Sequence, residues 1–252
     1  MTRLTCALVV AATLFAGATQ AQESIKAFGP GGPAPAMKEA AAAFNATAKL
    51  KVEIIAGPTG EWLEKARTEG DLIFSGSEVM MSDFVGAMSG EIAETTIVPL
   101  YLRPSAILGR PGNPKAIRGF ADLLARDLKV LVVNGAGQQG LWEDMAGRSG
   151  EIGKVRALRS KIAAFAPNSA AARKTWTERP EIDAWIIWNI WQVANPSIAD
   201  LVEVEPEFRM YRDTGIGLTK RGQGKDAAKA FVAFVQSPEG AAIFRKWGWV
   251  TN

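Results

Sequence analysis

The sequence predicts an α/β protein built as two lobes around a cleft, with mixed, mostly parallel sheets flanked by helices. Three observations predict it. Strand-like and helix-like segments alternate along the chain, apolar strands end in glycine or small polar residues just before a helix, and the alternation restarts near the middle. The first half opens with "SIKAFG", a strand, then the Ala-rich helix "PAMKEAAAAFNATA" and the strand "KLKVEIIAG". "EWLEKARTEG" reads as a helix, "DLIFSG" as a buried strand and "SDFVGAMSG" as a short helix.

After "TTIVPLYLRPSAILGR" the pattern begins again. "GFADLLARD" is helical and "LKVLVVN" is a run of branched apolar residues that suits a buried strand. One helix is expected from Leu141 to Lys161, weakened in the middle by Gly147, Gly150 and Gly153. "IAAFAPN", "SAAARKTW" and "DAWIIW" read as strand, helix and strand. The chain returns through "RMYRDTGIGLTK" to two closing helices, "GKDAAKAFVAFVQ" and "PEGAAIFRKWGW". Crossings between the lobes are expected near Val98–Pro104 and Arg209–Thr214. Residues 22–100 plus 212–252 then form lobe 1, with the closing helices on it, and residues 101–211 form lobe 2.

The N-terminus predicts export. Arg3, the apolar run "LTCALVVAATLFAGA" and the small-residue site "TQA" make residues 1–21 a signal peptide cleaved after Ala21. The run is shorter than the roughly 20 residues of a spanning helix. Cys6, the only cysteine, lies inside this leader, and the chain has no histidine. Disulfides, thiol nucleophiles, histidine triads and Cys/His zinc sites are thereby excluded from the mature chain. Without Arg3 the formal net charge falls from +3 to +2, and its basic residues are scattered. Lys220, Arg221 and Lys225 sit among glycines as a solvated turn, so no nucleic-acid surface is expected. No metal or cofactor is expected, and the chain reads as a monomer.

Gly135, Gly137 and Gly140 match G-x-G-x-x-G between a strand and a helix, the fingerprint of dinucleotide sites. Such a site also needs an acidic residue at the end of the next strand. Here that strand, "IAAFAPN", ends in Ala, Pro and Asn, and an exported protein does not meet free NAD. The glycines therefore read as a cradle for a small anion. Similar junctions occur at Gly29–Pro35, Gly57–Trp62, Ser75–Glu78 and Pro167–Arg173. Each alone is an ordinary turn or cap. Together they gather at the carboxyl ends of the strands, where helix starts offer free N–H groups to an anion.

Among charged residues, Arg173 sits one turn into a helix and suits either an anion contact or a surface salt bridge. Arg103 and Arg212 fall at the expected crossings, where they face the cleft or brace the hinge. Trp185, Trp188 and Trp191 suit core or interlobe packing, with Trp188 bordering the cleft. No side chain has an unperturbed pKa between about 6 and 8, so the charge of the cleft is expected to hold constant there.

The segments "FGPGGPAPAMKEAAAAF", "DLIFSGSE", "PLYLRPSAIL", "NGAGQQGLWEDM", "FAPNSAAARKTW", "DAWIIW" and "SPEGAAIFRKWGW" span nearly the whole mature chain. In these the chain resembles the type II periplasmic solute-binding proteins, and most of all the accessory colonisation factor C group, relatives of the molybdate- and sulfate-binding proteins. The resemblance implies two hinged lobes that capture a small anionic solute for the membrane subunits of an ABC importer, or for a membrane receptor. Carried over by motif, the contacts would be Gly31, Gly32, Thr59, Gly60, Ser75 and Gly76 from the first lobe. Gln139, Gly140, Asn168, Ser169, Arg173 and Trp188 would come from the second. An oxyanion such as sulfate or molybdate is the first expectation. The chain has Gly and Pro where molybdate binders carry a loop serine, and Trp188 near the position of a tyrosine. A small organic carboxylate is therefore the second. An exported hydrolase built on Ser75 or Ser77 is disfavoured, since no G-x-S-x-G elbow and no histidine base is present. A ferric site is disfavoured because Tyr101 and Tyr211, the two tyrosines, both lie near crossings.

Overall fold

The computed structural model describes residues 24–48 and 50–251; the expected leader, residues 1–21, lies outside the described residues. The first part of the chain runs β1 (Ser24–Gly29), α1 (Ala34–Ala48), β2 (Lys51–Ala56), α2 (Thr59–Glu69), β3 (Leu72–Phe74) and α3 (Glu78–Ala87). A long strand, β4 (Val98–Gly109), leads to α4 (Phe120–Ala125), β5 (Val130–Val133), α5 (Leu141–Gly147), α6 (Ile152–Arg159), β6 (Ile162–Ala166), α7 (Ser169–Glu178) and β7 (Ala184–Trp188). The rest comprises α8 (Ile190–Ala194), β8 (Asp200–Glu203), β9 (Tyr211–Leu218), α9 (Lys220–Gln223), α10 (Asp226–Gln236) and α11 (Pro238–Lys246).

The strands follow the order β2-β1-β3-β9-β4-β7-β5-β6, with β8 on β4. The path changes partners within β4. Val98–Pro104 pair with β9, and Ser105–Gly109 pair with β7 and β8. Both segments expected at crossings, in β4 and the start of β9, therefore sit side by side in one antiparallel pair. β1 is parallel to β2 and β3, and β5 is parallel to β6 and β7. The pairs β3–β9, β9–β4, β4–β7 and β4–β8 are antiparallel, so the sheet is more mixed than β-α alternation implied. The mixing comes from β9, which runs against β3, and from β4, which runs against β9, β7 and β8.

Burial follows period and capping. β3, β5 and β7 are buried along their whole length, as continuous apolar runs covered on both faces should be. α3 begins at Glu78, four residues before the expected start, because the Ser77 hydroxyl accepts the Met80 N–H and caps the helix there. The expected helix from Leu141 to Lys161 is two helices. Gly150 adopts φ +76°, a left-handed conformation that ends a helix, and α6 restarts at Ile152. α10 and α11 pack on α1, where Phe44 meets Phe231 and Phe234 with ring centroids 5.4 and 5.5 Å apart. Buried Asp71 fixes the returning chain. It takes Lys225 at 2.8 Å and Arg221 at 3.0 Å, and accepts the Lys26 backbone N–H at 3.0 Å. Among the described residues, no helix is long and apolar enough to cross a membrane.

Candidate functional site

A cleft of about 360 Å³ opens at the carboxyl ends of β1, β2, β3, β5, β6 and β7, on both sides of the change of partners in β4. Its walls are the strand-to-helix junctions: Pro30–Pro33 before α1, Gly57–Gly60 before α2, Gly76 before α3, Gly137–Gln138 before α5 and Pro167–Ala170 before α7. Trp188 at the end of β7 and Trp191 in α8 close one side. The starts of α2 and α7 bring free backbone N–H groups and the positive ends of two helices to this space. Asn168 caps α7 by accepting the Ala171 N–H at 2.9 Å.

Arg103 lies at the floor. Its side chain is 2% exposed, and one guanidinium nitrogen, Nη2, donates to the Gly76 carbonyl. The guanidinium carbon lies 4.8 Å from the Trp188 ring centre and 5.3 Å from that of Trp249. No carboxylate among the described residues forms an ion pair with it, and its buried Nε has no partner. Burial pushes its pKa down to about 9, against the pull of Asp213 and Glu78, so it is still protonated at neutral pH. Burying a cation without a close carboxylate partner is costly, and this one lies against the cleft.

Three glycines from three loops make room for it. A Cβ on Gly32 would stand 3.5 Å from Arg103 Nη1, and one on Gly76 3.4 Å from Nη2. A Cβ on Gly137 would meet the Gly76 carbonyl at 3.2 Å and Nη2 at 3.4 Å. The first and second halves of the sheet path thus meet over this guanidinium with backbone against backbone.

Behind Arg103 lies a carboxyl pair. Asp213 is raised to about 6, first by burial and then by its hydrogen bond with Glu78 and the charge of that group. Burial also acts upward on Glu78, but hydrogen bonds from its own backbone and from Asp213, with the charge of Arg212, hold it below the usual range. Arg212 ties this corner together, pairing with Glu78 at 2.9 Å and with Asp144 of α5 at 3.6 Å.

Of the residues singled out in the sequence, Gly31, Gly32, Thr59, Gly60, Gly76, Asn168, Ser169 and Trp188 line the cleft. Four lie elsewhere. Ser75 is fully buried in the β3–β9 seam, where its Oγ accepts the Gly215 N–H at 3.2 Å. Gln139 is exposed and Gly140 ends the turn before α5 at φ +75°; the tight turn at Ala136–Gln138 presents Gln138 to the cleft in their place. Arg173 is exposed and 3.3 Å from Asn195 Oδ1. Ala172 and Trp176 take the inner face of α7, and each helical step turns a side chain by about 100°. Arg103, Gln138 and Met80 are among the lining residues absent from the motif-based set.

Comparison with known proteins agrees with the fold. The family model described as bacterial extracellular solute-binding protein matches residues 25–250. The structure of L-phospholactate-bound PEB3 has a TM-score of 0.85 and 32% identity, covering 90% of this chain and 100% of that one. Peb3 from Campylobacter jejuni gives 0.84 and 32% over the same shares. The sulfate-binding protein SubI from Mycobacterium tuberculosis gives 0.75 at 19% identity, covering 90% of this chain and 86% of that one. The periplasmic molybdate-binding protein of Azotobacter vinelandii gives 0.69 at 16%, covering 90% and 99%. At such identities the last two show the fold alone, which is the type II periplasmic binding fold. Comparison with curated protein sequences returns no match.

Proposed function

Because the chain belongs to the bacterial extracellular solute-binding proteins, which bind solutes and do no chemistry on them, we propose that it captures a small organic anion between two lobes that close on Arg103. The single observation that carries this reading is the buried Arg103 guanidinium at the cleft floor, with no carboxylate among the described residues paired to it. The lobes are residues 22–100 plus 212–252 and residues 101–211, and the mature protein works in the periplasm with an ABC importer.

The order of solutes reverses the one expected from sequence. A cleft of about 360 Å³ falls in the usual range for organic ligands, roughly 300–1,000 Å³, and leaves much of its wall untouched by one sulfate or molybdate. Its lining includes Trp188, Trp191, Met80 and several prolines, apolar surface that suits carbon. The relative with 32% identity is bound to L-phospholactate, a phosphorylated carboxylate, whereas the sulfate and molybdate binders stand at 19% and 16%. A solute with a carboxylate or phosphate for Arg103 and a second polar end for the α2 and α7 junctions fits best.

A thermal-shift screen of mature protein tests this reading. Small phosphorylated and unphosphorylated carboxylates, sulfate and molybdate are each added in excess. Ligand at 100 times its Kd stabilises by about 2.7 kcal/mol, so a true solute stands out. Organic anions should raise Tm and the inorganic ones should not. A shift with sulfate or molybdate alone would restore the oxyanion reading.

A further inference from the structure

Arg103 has one guanidinium nitrogen left over. Nη2 donates to the Gly76 carbonyl and Nε is sealed without a partner, which leaves Nη1 beside the bare backbone of Gly32. Trp191 reaches the same place from the other half of the sheet path. A Cβ on Gly32 would stand 3.5 Å from Arg103 Nη1 and 3.7 Å from Trp191 Nε1, so the two nitrogens converge where a side chain at this position would begin. Packing holds the indole there. Its ring centre lies 6.3 Å from that of Trp185, and its Cη2 lies 4.0 Å from where a Cβ on Gly31 would stand. Its N–H is unused. The indole nitrogens of Trp62 and Trp176 donate to carbonyls and that of Trp247 to Glu39, while those of Trp142, Trp185 and Trp188 are buried without partners. Trp191 Nε1 also has no partner among the described residues, but it is not sealed, and its half-buried side chain lines the cleft. An indole N–H with an apolar body packed and a polar tip free normally meets an acceptor.

Resting on the anion reading of the cleft, we propose that Trp191 is a specificity-determining donor: its indole N–H shares one ionised group of the solute, a carboxylate or a phosphate, with Arg103 Nη1. Indole and guanidinium nitrogens donate and do not accept, so this point admits acceptor oxygens and rejects a cationic end. The bare backbone of Gly32 belongs to the same device, because a methyl there would cover both donors at van der Waals distance. Gly32 precedes α1 and Trp191 lies in α8, so the charged group is met from both sides of the cleft.

Calorimetry and NMR at pH 8 with L-phospholactate test this on wild type, Trp191→Phe and Gly32→Ala. Trp191→Phe keeps an aromatic ring against Trp185 and loses only the N–H donor and part of the ring. Loss of a hydrogen bond to a charged group should weaken its binding by about tenfold or more, with Tm close to that of wild type. Gly32 is not in the left-handed region, and its new methyl would meet its neighbours at ordinary contact distances, so Gly32→Ala should fold with Tm unchanged or slightly raised. Its affinity should nonetheless fall by about fivefold or more, a crowding cost that arises only with the solute in place. Stability kept while affinity falls is a combination that a merely structural role does not give. In ¹⁵N-labelled wild type, the indole signal that is missing from Trp191→Phe should move downfield on saturation. Either variant binding as tightly as wild type, or an unmoved Trp191 indole signal, overturns the assignment. If Arg103→Met abolishes binding while Trp191→Phe and Gly32→Ala bind normally, only this assignment falls. If folded wild type binds neither L-phospholactate nor any other small anion, the anion reading falls and takes this assignment with it.

Discussion

At the scale of single residues, Arg103 and Asp213 set the electrostatics. The sequence suggested a cleft of constant charge between pH 6 and 8, yet burial and Glu78 bring Asp213 to about 6 behind Arg103. Protonating Asp213 removes a negative charge from the vicinity of Arg103, the proposed anion contact. Affinity for a solute with no pKa of its own in the window should therefore rise several-fold from pH 8 to pH 5, and Asp213→Asn should flatten the profile. A flat wild-type profile in calorimetry would contradict this. The stability effect has a defined sign. A carboxyl raised from 3.8 to about 6 holds more protons when folded, so its contribution is complete below pH 3.8 and is lost as pH rises through 6. Arg103 was half legible in the sequence. Period two puts Tyr101, Arg103 and Ser105 on one face of β4, and that face is the buried one, while Leu102 opposite is 44% exposed. What the chain could not reveal is the close approach of Gly32, Gly76 and Gly137, which arrive from three separate loops.

At the scale of elements, the strand-to-helix junctions were read well because their signals are local. Gly57–Pro58, Ser75–Ser77 and Asn168–Ser169 each announce a turn or a cap, and all three lead into helices at the cleft side of the sheet. The failures were also local in cause. Gly150 was taken as a weak point in one helix and is instead the left-handed residue that ends it. β8 and α8 are too short to show a period, with four and five residues. Which glutamine of "GQQG" lines the cleft depends on the turn at Ala136–Gln138, and spacing alone does not encode it. Two substitutions test the element account by chemical denaturation. Ser77→Ala removes the cap of α3 and should cost about 1 kcal/mol. Gly150→Ala forces a side chain into φ +76° and should cost about 1–2 kcal/mol. A change near zero in either would mean that the cap or the break is not set by that residue.

At the scale of the whole molecule, the alternation of strands and helices made the fold class legible, and the family match from residue 25 to residue 250 agrees with it. The solute was less legible, because motif likeness reports which loops converge and not how much room they leave. Thr59 stands at the start of α2 in the cleft wall, away from both hydrophobic cores. Thr59→Trp should fill the cleft and abolish binding with Tm within a few degrees of wild type; normal binding by a folded variant would place the site elsewhere. The central claim is that an organic anion is held by the charge of Arg103, and calorimetric titration of L-phospholactate, or the best organic anion of the screen, into wild type and Arg103→Met tests it most directly. Removing one partner of a buried charged pair costs roughly 2–5 kcal/mol. Arg103→Met, close in length but uncharged, should therefore weaken binding by about thirtyfold to several thousandfold while circular dichroism shows an intact fold. A folded Arg103→Met protein that binds the anion as tightly as wild type would contradict the account.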